Sequence, residues 1–155
     1  MNRTVYNEFD SHFYCYRAVY EDNVLNTCIA TNIVREGVDY MLPQGSYKDY
    51  LNYLNNEITK TEFEQKWRQA LSVYEDEWRA VRSNIWQGQL IYAEINCFYP
   101  QAIILNIGFL FQGIANYDEC DKCYRSDRMY PGKIMEMTVT GFDEFNMWVV
   151  CKPVV

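Results

Sequence analysis

The stretch from Gly88 to Lys152 alternates, and alternation at period two is the signature of half-buried strands. Ile91, Ala93 and Ile95 alternate with Leu90, Tyr92 and Glu94. Cys97-Phe98-Tyr99 leads into Pro100-Gln101 and then the apolar run Ala102 to Leu105, which reads as a hairpin of two strands turning near Tyr99 to Gln101. Ile114 opens a short third element before a polar loop. Pro131-Gly132 punctuates the chain, Lys133 to Thr140 alternates again, Gly141 to Asn146 reads as a turn, and Met147 to Cys151 is the last strand. Five short strands with no long helix between them predict a small closed barrel, which leaves no sheet edge exposed.

Before the barrel the reading turns helical. Met1 to Asp10 is polar and expected to fray. His12 to Tyr20 carries Phe13, Tyr14, Tyr16 and Tyr20 and fits a strand as well as a helix. Glu21-Asp22-Asn23 offers an N-cap for a helix over Val24 to Arg35, which Gly37 stops, followed by a turn at Met41 to Gly45. Ser46 reads as a second N-cap, with Tyr47, Tyr50, Leu51, Leu54 and Ile58 on one helical face. Thr61-Glu62-Phe63-Glu64 has the form of a capping box. Behind it Phe63, Trp67, Leu71, Tyr74, Trp78, Val81 and Ile85 recur at gaps of three and four, one amphipathic helix from Thr61 to Asn84. Glu64 with Arg68 and Glu75 with Arg79 stand at the spacing of helical ion pairs. The expectation is therefore an α+β chain: a mainly helical N-terminal part over residues 1–84, followed by a five-stranded antiparallel barrel over residues 85–155.

The order of the barrel signals resembles the S1 domain, an RNA-binding variety of the OB-fold, over roughly residues 85–153. Gly88, Ile91, Ala93 and Ile95 are similar to the family's opening pattern. Ala102 to Gly108 resembles its second strand and Gln112 to Ala115 its short third one. Gly132, the alternation from Lys133 to Val139, Asp143, and Val149 to Lys152 resemble the remainder. Trp78 stands where such domains often carry a tryptophan on a preceding helix. Where the family often has a histidine after the third strand, this chain has Ala115-Asn116.

Charge works against the usual nucleic-acid signature. The chain of 155 residues carries a net charge of -7. From Ile85 onward the bases are Lys122, Arg125, Arg128, Lys133 and Lys152, against eight acids. Phosphate contacts supply most non-specific nucleic-acid affinity. Arg125, Arg128 and Lys133 are the one candidate basic cluster. Aromatic residues make up 17% of the chain, 14 of them tyrosines, a residue that packs while still offering a hydroxyl and so suits interfaces.

No catalytic motif stands up. There is one histidine, His12, and there is no glycine-rich phosphate loop or H-E-x-x-H. Cys120-Asp121-Lys122-Cys123 is half of a zinc knuckle without a second ligand pair, so neither metal nor cofactor is expected. No stretch approaches a membrane span and the first residues lack a signal-peptide pattern, so a cytoplasmic location is expected. The resemblance implies a non-catalytic module for single-stranded RNA, stacking bases on Phe98 or Tyr99, with Tyr92 sharing that face, while Arg125, Arg128 and Lys133 meet phosphates. The alternative is an acidic adaptor or inhibitor that kept the barrel and binds a protein.

Overall fold

The structure is a computed structural model that describes residues 2–33, 57–99 and 101–154. The chain forms two compact units, Met1–Tyr74 and Glu75–Val155.

The first unit corrects the helical N-terminal expectation. It opens with a three-stranded antiparallel sheet in the order β1-β2-β3, formed by β1 (Arg3–Phe9), β2 (Cys15–Asp22) and β3 (Thr27–Ala30). The polar opening residues therefore form an edge strand. The expected helix over Val24 to Arg35 is replaced, as far as Ile33, by a turn and β3. Its cap signal was real but served another purpose. The Asp22 carboxylate accepts from the amides of Val24 and Leu25 at 2.9 and 3.0 Å, closing a hairpin turn, and Asn26 takes a left-handed φ of 53°. An acid that satisfies the next amides begins a helix or closes a turn equally well. Asp10 does the same between β1 and β2, accepting from His12 and Tyr14. The expected elements from Gly37 to Leu54, including the turn at Met41 to Gly45 and the cap at Ser46, lie outside the described residues.

Helix α1 (Lys60–Ser72) packs on all three strands and buries Phe63, Trp67, Ala70 and Leu71. Its N-cap is Thr59 rather than Thr61: the Thr59 hydroxyl accepts from the Glu62 amide at 3.1 Å. Two overlapping T-x-x-E boxes exist, and the second cannot form because Glu64 turns to the sheet. There it takes a hydrogen bond from Arg17 Nη2 at 2.6 Å. Arg17 also donates twice to Glu8, and its guanidinium lies 5.1 and 4.9 Å from the ring centres of Phe63 and Trp67. Lys66 reaches Glu21 at 2.7 Å.

The expected long helix is broken at Val73–Tyr74, where the Tyr74 amide bonds the Leu71 carbonyl in a tightened last turn. All seven stripe residues are buried, but the first four serve unit one and the last three unit two. Glu75, Asp76 and Glu77 then form the first turn of α2 (Glu75–Asn84), where carboxylates favour the positive helix end. Arg79 pairs with Asp76 at 3.3 Å, not with Glu75.

The second unit continues with β4 (Leu90–Phe98), β5 (Ile103–Asn106), β6 (Gly113–Ala115), α3 (Tyr117–Tyr124), β7 (Ile134–Asp143) and β8 (Trp148–Pro153). The strands close into a barrel in the order β4-β5-β6-β8-β7, with β7 pairing back to β4. This is an OB-like barrel. It is not wholly antiparallel: β6 and β8 run parallel, because α3 and β7 intervene and return the chain to the same end. Gly141 does not start a turn; β7 continues to Asp143 through a bulge there. Ala93, Ile95, Leu105, Met135, Met137, Val139, Val149 and Cys151 fill the interior, with Met135 inward and Ile134 outward. Gly113 is required by the packing, since a Cβ there would stand 2.9 Å from Ile107 Cγ2 and 3.3 Å from Leu105 Cβ.

Candidate functional site

Paired residues in a sheet point to the same face, so the register sorts every barrel residue into an inner or outer layer. Ala93 faces Met135, Ile95 faces Leu105, Leu105 faces Gly113, and Gly113 faces Val149: these are inner. Leu90, Tyr92 and Glu94 face Thr138, Glu136 and Ile134: these are outer. By strict alternation Phe98 joins Tyr92 outside. It does not, because β4 carries a bulge between Ile95 and Cys97. Beyond it Cys97 pairs with Ile104 and Phe98 with Ile103, and Ile103 in turn with Ala115 and Cys151 across the inner layer. The extra residue, Asn96, moves Phe98 to the inner register at the end of the barrel. Tyr92 and Phe98 therefore lie on different faces.

Of the other residues singled out in the sequence, Phe98 and Tyr99 lie at that barrel end. Phe98 is 40% exposed and meets Tyr117, 42% exposed, edge to face at 6.0 Å between ring centres. Tyr99 and Ala102 exchange backbone hydrogen bonds at 3.0 and 3.3 Å, closing the hairpin beside them. Tyr117 is the first residue of α3, and Asn116 caps that helix by accepting from the Glu119 amide at 3.0 Å. The far end of α3 is fastened to β7: Tyr124 Oη donates to the Glu136 carbonyl and accepts from the Glu136 amide, both at 3.2 Å.

The basic residues stand beyond that anchor. Arg125 holds a positive φ of 63° just after α3, Arg128 ends a 3-10 turn, and Lys133 abuts β4 through its carbonyl, which accepts from the Ile95 amide at 2.8 Å. Arg125 and Arg128 are exposed and Lys133 half-buried. The aromatic pair and the arginines thus sit at opposite ends of α3, eight residues long, which separates them by roughly 12 Å at about 1.5 Å per residue. Asp118, Glu119 and Asp121 lie between them, and Lys152 meets Glu119 at 3.7 Å.

Tyr117 belongs to the polar stretch expected as a loop after Ile114, and the folding of that stretch into α3 sets it on Phe98. The opposite end of the barrel is closed by packing. Trp78 lies edge-on to Phe111 at 5.1 Å and Phe142 at 6.1 Å. Its indole N–H and the Arg82 guanidinium both donate to Glu144, and Arg82 lies 3.9 Å from the Phe142 ring centre.

The C-x-x-C pair is split by the helix: Cys120 is buried and Cys123 exposed. Burial pushes the Cys120 thiol up to about 11 and the Cys151 thiol up to about 12, which removes both from thiolate chemistry at neutral pH. Among the described residues no three histidine, cysteine or acidic side chains gather as a metal site. No described helix is long and apolar enough to cross a membrane.

The sequence matches no protein family and no curated protein. Among solved structures it is similar to a crystal structure described as a multidomain protein with nucleic acid binding domains, from Streptococcus pneumoniae, at 10% identity and a TM-score of 0.37. The match covers 99% of this chain and 51% of that one, so this chain spans about half its length.

Proposed function

We propose that the barrel unit is a non-catalytic binding module for single-stranded RNA, of the S1 type that its sequence resembles. Bases would stack at Phe98, Tyr117 and Tyr99, and Arg125, Arg128 and Lys133 would meet phosphates. The observation that carries this reading is the half-exposed Phe98–Tyr117 pair at the end of a closed OB-like barrel, a fold that binds oligonucleotides. Tyr92 is not part of this site, because the β4 bulge separates it.

Few basic groups and many acids make this a stacking-led site. Each neutralised phosphate of a single strand contributes about -0.7 to the log–log salt slope, so three contacts give roughly -2 at most. Fluorescence anisotropy with a short mixed-sequence RNA, repeated across salt, measures both affinity and slope. Phe98→Ala and Tyr117→Ala should each cost about 1–3 kcal/mol of binding, and Tyr92→Ala almost nothing. Absence of binding up to about 100 µM RNA at low salt, the weak end of non-specific affinity, would end the RNA reading.

A further inference from the structure

The outer layer of β4 and β7 is a second surface, separate from the barrel end and independent of the RNA reading. Six side chains form it. Leu90 stands opposite Thr138, Tyr92 opposite Glu136, and Glu94 opposite Ile134. Leu90, Tyr92 and Ile134 are 59%, 75% and 55% exposed, and they are the large apolar residues of the patch. Their neighbours in sequence, Ile91, Ala93 and Met135, belong to the inner layer, so the register itself keeps these three outside. Two strands about 4.8 Å apart, followed over four steps of about 3.3 Å each, make a strip roughly 13 Å long.

The charges on the strip are of one sign. Glu94 and Glu136 are its charged members, and among the described residues neither has an ion-pair partner. Lys133, next to Ile134, stands opposite the inner-layer Ile95, and Lys152, beside Thr138, meets Glu119. Exposed apolar groups beside unpaired carboxylates define the occupant by complementarity. A second copy docked about a two-fold axis would bring carboxylates to carboxylates. A nucleic acid would bring phosphates to them. A protein segment with an apolar centre and lysine or arginine flanks satisfies both the apolar contacts and the charge.

We infer that the outer β4–β7 face, through Leu90, Tyr92 and Ile134 with Glu94 and Glu136, is a docking surface for a basic, apolar-centred protein segment. The test uses the full chain and two fluorescein-labelled synthetic peptides, one alternating valine with lysine and the other valine with glutamate. Anisotropy should show binding of the valine–lysine peptide and none of the valine–glutamate peptide. The double variant Leu90→Ser/Ile134→Ser should weaken binding about ten-fold. Glu94→Gln/Glu136→Gln should do likewise at low salt and flatten the salt dependence; it preserves side-chain shape and carries the test if the serine variant melts early. Removing an equal charge elsewhere, with Glu75→Gln/Glu77→Gln on α2, should leave binding unchanged. The inference fails if the face variants bind the peptide as the parent does, or if the α2 variant loses as much. It fails equally if sedimentation shows the chain dimerising through this face, or if Glu94→Gln/Glu136→Gln weakens RNA binding while sparing the peptide.

Discussion

Replacing Arg17 with methionine should destabilise the first unit by about 3 kcal/mol. Arg17 is 8% exposed and donates charge-assisted hydrogen bonds to Glu8 at 2.9 and 2.8 Å and to Glu64 at 2.6 Å. Removing one partner of a buried ion pair typically costs about 3–5 kcal/mol, because the remaining charge stays buried without compensation. Here the Glu8 and Glu64 side chains keep 27% and 21% of their exposure, so water solvates them in part and the cost falls toward the low end of that range. Methionine preserves the apolar stem against Phe63 and Trp67 but loses the cation over both rings. The two units make a single global transition an unsafe measure. Amide exchange of Ala18 and Val19, fully buried on β2, followed against urea, reports the first unit alone. Adding Glu8→Gln and Glu64→Gln to Arg17→Met should recover most of the loss, since no unpaired charge then remains. A loss below about 1 kcal/mol for Arg17→Met would refute the reasoning, because it is the magnitude of a solvated surface pair.

Three further outcomes follow from particular residues. Leu71→Ala should cost about 2–5 kcal/mol by the same exchange measurement, because the side chain is 3% exposed in the α1 interface; a loss under about 0.5 kcal/mol would mean that the stripe is not core. Thr59→Ala should cost about 1 kcal/mol and Thr61→Ala almost nothing, and the same exchange measurement on the two variants separates the real cap from the neighbouring box. Cys151 should make stability fall in alkali: its thiol is pushed from 9.0 up to about 12 by burial, so the folded chain keeps a proton that the unfolded chain releases. That contribution is complete below about pH 9 and is lost as pH rises toward 12, at about 1.4 kcal/mol per pH unit. Between about pH 9 and 10.5 Cys151→Ala should show a shallower decline in its urea midpoint than the parent chain, and equal slopes would contradict the burial argument.

The barrel was legible in the sequence because each of its strands writes its own alternation locally. Ile91, Ala93 and Ile95 point inward whichever strand they pair with, and the turns at Tyr99 to Gln101 and Pro131-Gly132 lie between such runs. The stripe from Phe63 to Ile85 was legible for the same reason: a buried helical face repeats within a few residues. Tertiary structure decided what local pattern cannot hold. Asp22 caps a turn instead of a helix because pairing of β2 with β3 returns more than an isolated helix over Val24 to Arg35 does. The stripe is cut at Val73–Tyr74 because its two halves serve different cores. The bulge after Ile95 is one extra residue in nine, invisible to a period-two pattern, yet it reverses the face of Phe98 and parts it from Tyr92. Residue spacing therefore fixed which side chains are buried, while strand register, set by partners distant in the chain, fixed which exposed ones stand together.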